Sequence, residues 1–388
     1  MPSSSDRFRF FVTCARGTEG ALRRELVGLR IGSPKGDTGG VWFDGPIAMA
    51  MGVCLHSRVA VRVLLQLDSF EAGDADSLYR GARRVPWADW LTAKTTLAVH
   101  ATVKDNAALT HSGFAALKVK DAIVDALRDK LGARPDVEPK DPDVSVVLHI
   151  AGTQAGLFLD LAGEALHRRG YRAVMTDAPL KETLAAAVLD LGGVTAELPF
   201  VDPMGGSGTL AIEHALAARG IASGLRRNFG FQRWPLFASD LQSTWSRLHG
   251  EATERAKAPR PNLAPIVYSD IARPALDAAR RNATAAGVAD LITFETADVA
   301  ALARRWPAGN VCTNPPYGER MVEKDLAALY PRMAAAFSRL AGWGVVVLSG
   351  NPLFSREMGA KPRISHRLYN GALEVRLLRY EIPAARGS

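Results

Sequence analysis

Over the first 165 residues the apolar positions fall into short runs of mixed period. FRFFVTC and GVWFDG read as strands, and GTEGALRREL between them repeats every three to four residues, as an amphipathic helix does. Residues 46–60 and 75–90 read as helices around the strand VRVLLQLDSF, and TLAVHAT as a further strand. A long helix follows from Ser112 to Leu131, with Ala116, Val119, Ile123, Ala126 and Leu127 on one side. Lys118, Asp121, Asp125, Arg128 and Asp129 fall on the other side. The strands VSVVLHI and AGLFLDL complete a strand, helix, strand, strand order, which predicts a small α+β domain. Residues 1–6 are polar and read as disordered.

Beyond the basic stretch HRRGYR (167–172) and a connecting segment around Ala178-Pro179-Leu180, the rhythm changes, which places the main boundary near residue 170. Helix LKETLAAAVL leads to strand PFVD, a glycine loop and helix TLAIEHALAARG. Strand IVYSD, helix ARPALDAARRNATAAG, strands ITFETAD and NVCTN, a helix from Lys324 to Leu340 and strand GVVVLSG follow. Such alternation predicts an α/β architecture, a mostly parallel sheet with helices on both faces. The last element reads as a hairpin, RISHRLY and ALEVRLLRYEI joined at Asn370-Gly371, a strong type I′ turn signal.

Charge changes this picture little. The net charge is +8, with 26 Lys and Arg against 20 Asp and Glu over residues 171–388, and 22 against 20 before them. A basic excess raises the odds of an anionic partner such as nucleic acid. Cys14, Cys54 and Cys312 are far apart and form neither a disulfide framework nor a metal motif, and His100, His111, His149 and His214 have no metal spacing; no metal is expected. No apolar run approaches a membrane span, and MPSSSDRFRF carries no apolar signal core, so a reducing cytoplasm is the expected compartment.

The candidate chemistry starts at the glycine loop. Strand PFVD runs into Asp202-Pro203-Met204-Gly205-Gly206-Ser207-Gly208-Thr209 with a helix directly after, where backbone can approach a ligand. Gly206-Ser207-Gly208 with Ala211 loosely fits a dinucleotide fingerprint. Asp202 argues against it, because a carboxylate repels a pyrophosphate and attracts the amino group and sulfonium of S-adenosylmethionine. Asp270 closes the next strand and suits ribose hydroxyls; Asp298 closes the one after and suits an adenine amino group. A lone Asp at a strand end is more often a helix cap, but three in register favour a nucleoside cofactor. Candidate cofactor-binding residues are therefore Asp202, Pro203, Gly205 to Thr209, Asp270, Ile271, Asp298, Val299 and Asn314.

Candidate catalysis lies in Asn314-Pro315-Pro316-Tyr317 after strand NVCTN. Two prolines fix the backbone and remove two N–H donors. A planar exocyclic NH2 is a poor nucleophile until its hydrogens are held. The Asn314 side-chain oxygen and the Pro315 carbonyl can hold them, which lets the nitrogen pyramidalise; Tyr317 can stack on the base. The bland alternative is a tight Asn-Pro turn. The motif alone does not separate guanine N2, adenine N6 and a glutamine amide. A base inside a duplex must first be flipped out.

Two stretches could touch RNA, and each has a structural alternative. RRNFGFQRW, with Arg227 and Arg233, interleaves basic and aromatic residues, or else packs Phe229, Phe231 and Trp234 inward. HRRGYR, with Arg168 and Arg169, carries the same ambiguity. Lys118 and Lys120 are further candidates, Lys120 lying near the apolar side of its helix, where a lysine tends to snorkel.

DPMGGSGTL, TNPPYGER, APLKETLAAA, HRRGYR, YNGALE and KVKDAIVDAL occur in one order over nearly the whole chain. On these motifs the chain resembles the THUMP-domain class I methyltransferases. Within them it is most similar to the large-subunit ribosomal RNA methyltransferase L type, which makes N2-methylguanosine in 23S rRNA. The resemblance implies a ferredoxin-like subdomain over residues 1–60, a THUMP RNA-binding domain over 61–165 and a Rossmann-like class I methyltransferase domain over 166–388. It puts Asp202, Gly206 and Gly208 on the cofactor loop and Asn314 to Tyr317 on the catalytic motif. Gly205 and Val375 stand where relatives often have Cys. Some relatives carry a second methyltransferase domain after this point, which is not expected here. Related enzymes act on tRNA, and a catalytically dead RNA-binding protein is the alternative of a different class.

Overall fold

The computed structural model describes residues 6–173, 180–260, 262–317 and 323–384. Residues 1–5, Ala178 and Pro179 of the connecting segment, and the end of TNPPYGER from Gly318 lie outside the described residues. Two compact units form. The first holds Met1–Thr13, Glu25–Leu166 and Arg227–Glu251; the second holds Cys14–Arg24, His167–Arg226 and Ala252–Ser388. A segment from the second half of the chain thus belongs to the first unit, which a single boundary near residue 170 does not describe.

In the first unit, strands β1 (Phe8–Thr13), β2 (Lys35–Asp37), β3 (Gly40–Gly45), β4 (Arg62–Glu71), β5 (Leu97–Lys104), β6 (Val144–Ala151) and β7 (Gln154–Asp160) make one sheet in the order β2-β3-β1-β4-β7-β6-β5. β4 pairs with β1 on one side and β7 on the other, so one sheet runs through both expected subdomains. Between these strands run helices α1 (Glu19–Gly28, whose residues up to Arg24 belong to the second unit), α2 (Ile47–His56), α3 (Ala75–Arg83) and α4 (Ser112–Leu131). α4 buries Ala115, Val119, Ala122, Ile123 and Leu127, a face slightly rotated from the expected one, and Gly132 ends it in the left-handed region.

The segment Arg227–Trp234 is a strap across the end of β7. Its backbone at Gly230 and Phe231 donates to the carbonyls of Ala162 and Leu161. Phe229, Phe231 and Trp234 are 3%, 0% and 2% exposed, so the aromatics pack inward.

The second unit contains helices α5 (Glu182–Leu191), α6 (Thr209–Arg219), α7 (Gln242–Lys257, begun in the first unit), α8 (Arg273–Ala286), α9 (Glu323–Ser338) and α10 (Leu353–Glu357). Its strands are β8 (Phe200–Asp202), β9 (Ile266–Asp270), β10 (Ile292–Thr296), β11 (Asn310–Thr313), β12 (Gly344–Ser349), β13 (Ile364–Asn370) and β14 (Leu373–Glu381). Their order is β10-β9-β8-β11-β12-β14-β13, parallel from β10 to β12 and antiparallel in the last two strands. Val311, Val345, Tyr330, Phe337 and Phe354 lie in the core between the sheet and α9 and α10. Helix α7 was not expected from the sequence; it is polar, with Trp245 and Ala252 its buried residues among those described.

The hairpin is present, but its turn is not Asn370-Gly371. Asn370 pairs with Leu373 in the ladder, leaving Gly371-Ala372 as the two-residue loop, with Gly371 at φ 67°. A positive φ at the first central residue alone is the pattern of a type II′ turn, which takes glycine there.

Candidate active site

β8, first in sequence, stands mid-sheet; the chain adds β9 and β10 on one side of it and β11 and β12 on the other. The crevice beyond the carboxyl ends at such a reversal is where a doubly wound sheet takes ligands. Asp202 ends β8 at 1% exposure and accepts from Thr313 Oγ1, the last residue of β11, at 2.9 Å. Burial pushes its carboxyl up to about 7; the Thr313 hydroxyl and Met204 N–H oppose the shift, and the Asp270 charge adds to it.

Neighbouring groups grip the glycine loop. The Gly205 and Gly206 N–H groups donate to the Ser269 carbonyl (3.0 Å) and to Asp270 Oδ2 (2.9 Å). The Tyr268 hydroxyl donates to the Gly206 carbonyl at 2.6 Å, and Asn282 Nδ2 to the Ser207 carbonyl at 3.1 Å. Arg172 reaches Ser207 Oγ at 3.2 Å and Thr209 Oγ1 at 3.3 Å while pairing with Glu182 at 2.8 Å. Gly208 takes φ +84° at the start of α6, and a Cβ there would stand 2.9 Å from that of Ala279, so both conformation and space require glycine.

A cavity of about 520 Å³ opens at this edge. Of the expected residues, Pro203, Gly206, Asp270, Ile271, Asp298, Val299, Asn314 and Pro316 line it. Asp202, Gly205, Ser207, Gly208, Thr209, Pro315 and Tyr317 are not among its lining residues. Asp270 already accepts from Ala272 N–H and Gly206 N–H, so it locks the loop as well as facing the cavity. Asp298 accepts from Ala300 N–H at 2.8 Å and pairs with Arg332; together these hold its carboxyl below the usual range, the backbone bond first. Asp325, Leu329 and Arg332 of α9 also line the cavity and were missed, since only their helical spacing after the tetrapeptide could have pointed to them.

In the tetrapeptide, Asn314 Oδ1 is buried and has no hydrogen-bond partner among the described residues. An unsatisfied buried acceptor costs free energy, and Asn314 is a residue that lines the cavity, so a ligand whose donor reaches Oδ1 relieves that cost. The Tyr330 hydroxyl donates to the Pro316 carbonyl at 3.2 Å. Tyr317 is 2% exposed, so a base reaches its ring only after the ring is uncovered.

A family model described as the RMKL-like methyltransferase domain matches residues 169–378. The chain belongs to the RMKL-like methyltransferases. Models of the THUMP domain and of the RlmL ferredoxin-like domain match residues 72–160 and 9–64. Among similar proteins, the ribosomal RNA large subunit methyltransferase K/L of Syntrophotalea carbinolica is 41% identical over 97% of this chain and 54% of its own length. The chain spans about half the length of the curated relatives it matches. The structure of SMU.472, which holds S-adenosylhomocysteine, superposes with a TM-score of 0.90 at 28% identity over the whole of both chains. A Listeria monocytogenes protein described as a predicted N6-adenine-specific DNA methylase has a TM-score of 0.87 at 31% identity over 97% of both. The RMKL-like unit is thus a Rossmann-like class I methyltransferase fold.

The residues of this RMKL-like site fit S-adenosylmethionine. The cavity lining carries the carboxylates of Asp270, Asp298 and Asp325 against the guanidinium of Arg332, an acidic balance that disfavours a pyrophosphate and favours an ammonium and a sulfonium. Among the described residues no cluster of His, Cys, Asp or Glu is placed to hold a metal, and no helix is long and apolar enough to cross a membrane.

The residues expected to meet RNA are placed unequally. Arg169 is 4% exposed and lies 3.6 Å from the buried Glu213, to which Tyr171 also donates; it is a core residue, which corrects the expectation. Arg227 donates to the carbonyls of Ala162, Glu164 and Ala165, and Arg233 pairs with Asp141 while donating to Pro142. Both fasten the strap. Arg168 is exposed, Lys118 lies over the Phe114 ring at 5.8 Å, and Lys120 pairs with Asp121 at 2.7 Å.

Proposed function

We propose that this chain methylates the exocyclic N2 of a guanine in large-subunit ribosomal RNA, with S-adenosylmethionine as methyl donor. The observation that carries the reading is Asn314 in the lining of the cavity, its buried Oδ1 without a partner among the described residues. When bound, the cofactor supplies an electrophilic methyl on a cationic sulfur. The buried Asp202 carboxylate and the Asp270 carboxylate favour that cation, and the gripped glycine loop lets backbone come close to it. Asn314 Oδ1 and the neighbouring Pro315 carbonyl accept the two hydrogens of the amino group. Fixed in direction, they would favour the pyramidal nitrogen over the planar one. As the nitrogen takes the methyl, the S–C bond would break to leave a neutral thioether, and the acidic cation formed would release one N–H proton to water without a strong base. The THUMP and ferredoxin-like matches and the name of the Syntrophotalea relative support RNA, and ribosomal RNA within it.

A second reading, adenine N6, is favoured by the description of the Listeria neighbour and by the indifference of the tetrapeptide to the ring that bears the amino group. Incubating the chain with unmodified large-subunit rRNA, tRNA and duplex DNA, with nucleoside mass spectrometry of each product, decides between them. N2-methylguanosine in the rRNA alone is the expected result. N6-methyladenosine, or methylation of DNA or tRNA in preference, would sink the first reading.

A further inference from the structure

Asn370 has the sequence of a turn residue but not the place of one. It is the last paired residue of β13, and the turn is made by Gly371 and Ala372. Its side chain is therefore not used by the turn, and Nδ2 donates to the Tyr317 hydroxyl at 2.9 Å. Because β14 runs antiparallel to β12 with Arg376 opposite Ser349, Leu373–Val375 and the turn stand beyond the carboxyl end of β12, on the side of the catalytic loop. The Tyr317 ring is also fitted against the chain just past β12. A Cβ at Gly350 would lie 2.5 Å from Tyr317 Cδ2 and 2.7 Å from Cγ, so any larger residue displaces the ring. With Tyr330 on the Pro316 carbonyl, the second half of the tetrapeptide is anchored at two successive residues, while Asn314 Oδ1 has no partner among the described residues.

We propose that Asn370 is a positioning residue for methyl transfer: by holding the Tyr317 hydroxyl it fixes the tetrapeptide from its far end. The Asn314 and Pro315 acceptors then keep the direction that a planar amino group requires. This rests on the reading of Asn314 to Tyr317 as the catalytic motif. It makes the hairpin tip, an element far along the chain from the cofactor loop, part of the active site.

The test is a double-mutant cycle of Asn370→Ala and Tyr317→Phe in the full chain. Single-turnover transfer to unmodified large-subunit rRNA is measured beside calorimetric titration of S-adenosylmethionine and thermal melting. Loss of one anchoring hydrogen bond slows transfer roughly tenfold in either single variant. Cofactor affinity and melting temperature stay at their wild-type values, and the double variant is no slower than the slower single, because both remove one contact. Asn370→Asp, whose carboxylate accepts from the Tyr317 hydroxyl, recovers most of the rate. Losses that multiply in the double variant overturn the proposal, as does a wild-type rate for Asn370→Ala or a loss matched by a lower melting temperature. Asn314→Ala separates the two levels of argument. If it retains full activity, the catalytic reading itself fails. If it is inactive while the Asn370 and Tyr317 losses multiply, only the role of Asn370 fails.

Discussion

The glycine loop after β8 and the tetrapeptide after β11 leave adjacent strands of one sheet, yet they use their polar groups in opposite ways. The loop is saturated: Ser269, Asp270, Tyr268, Asn282 and Arg172 all engage it. The tetrapeptide is anchored at Pro316 and Tyr317, and among the described residues Asn314 Oδ1 is buried without a partner. Satisfied groups fix shape, whereas an unsatisfied one stores a demand that a ligand meets. Asp202 lies between the two, tied to Thr313 at the root of the tetrapeptide and desolvated so strongly that its charge is costly until a cation arrives.

Breaking this contrast at its open end has the largest effect. Asn314→Ala removes the unsatisfied acceptor without touching the loop. Single-turnover transfer should fall roughly 100- to 1000-fold, the loss typical when one preorganised polar group at a reacting centre is removed. Calorimetry should show cofactor affinity little changed. Equal losses in both would place Asn314 in cofactor binding and erase the distinction between the two loops.

Next comes pH. With its carboxyl raised to about 7 by burial, Asp202 is mostly ionised at pH 8 and mostly neutral at pH 6. Only the ionised form attracts the cofactor's ammonium, so its dissociation constant should rise about tenfold over that interval. For stability the sign is reversed. A carboxyl whose folded value lies above its unfolded value contributes stability below the unfolded value, lost as pH climbs through about 7. Alkali therefore costs the ligand-free protein stability while it favours binding. Asp202→Asn should bind weakly and with a flat profile; a flat profile in the wild-type protein would show that Asp202 does not meet the ammonium.

These roles were unequally legible in the sequence. Periodicity suffices for most strands of both sheets, because alternation and turn signals are local, but not for the short, exposed β2, which has no alternation to read. Asp202, the glycines and Asn314 could be chosen because each sits at a strand end, where a parallel sheet opens. What could not be read were pairings over long separations. Asn370 carried a turn signal, and only the register of β13 with β14 shows that it serves Tyr317 instead. Arg169, Arg227 and Arg233 looked like a surface for phosphates, and their partners Glu213, Ala162 and Asp141 are remote in sequence. Nor does composition reveal that Arg227–Glu251 joins the first unit, since its burial depends on the end of β7.

The smallest expected effect tests the saturated end. Tyr268 is fully buried in β9, and its hydroxyl meets the Gly206 carbonyl at 2.6 Å. A Cβ on Gly205 would stand 2.2 Å from the Tyr268 ring, so the ring fills space that a side chain at 205 would need. Glycine at 205 and tyrosine at 268 therefore act as one fitted pair. Tyr268→Phe keeps the ring and removes only the donor. The Gly206 carbonyl then loses a partner worth about 1 kcal/mol, and cofactor affinity should fall roughly fivefold while the rate at saturating cofactor stays near wild type. If the rate falls and the affinity does not, the loop is part of the chemistry rather than its scaffold, and the contrast with the tetrapeptide disappears.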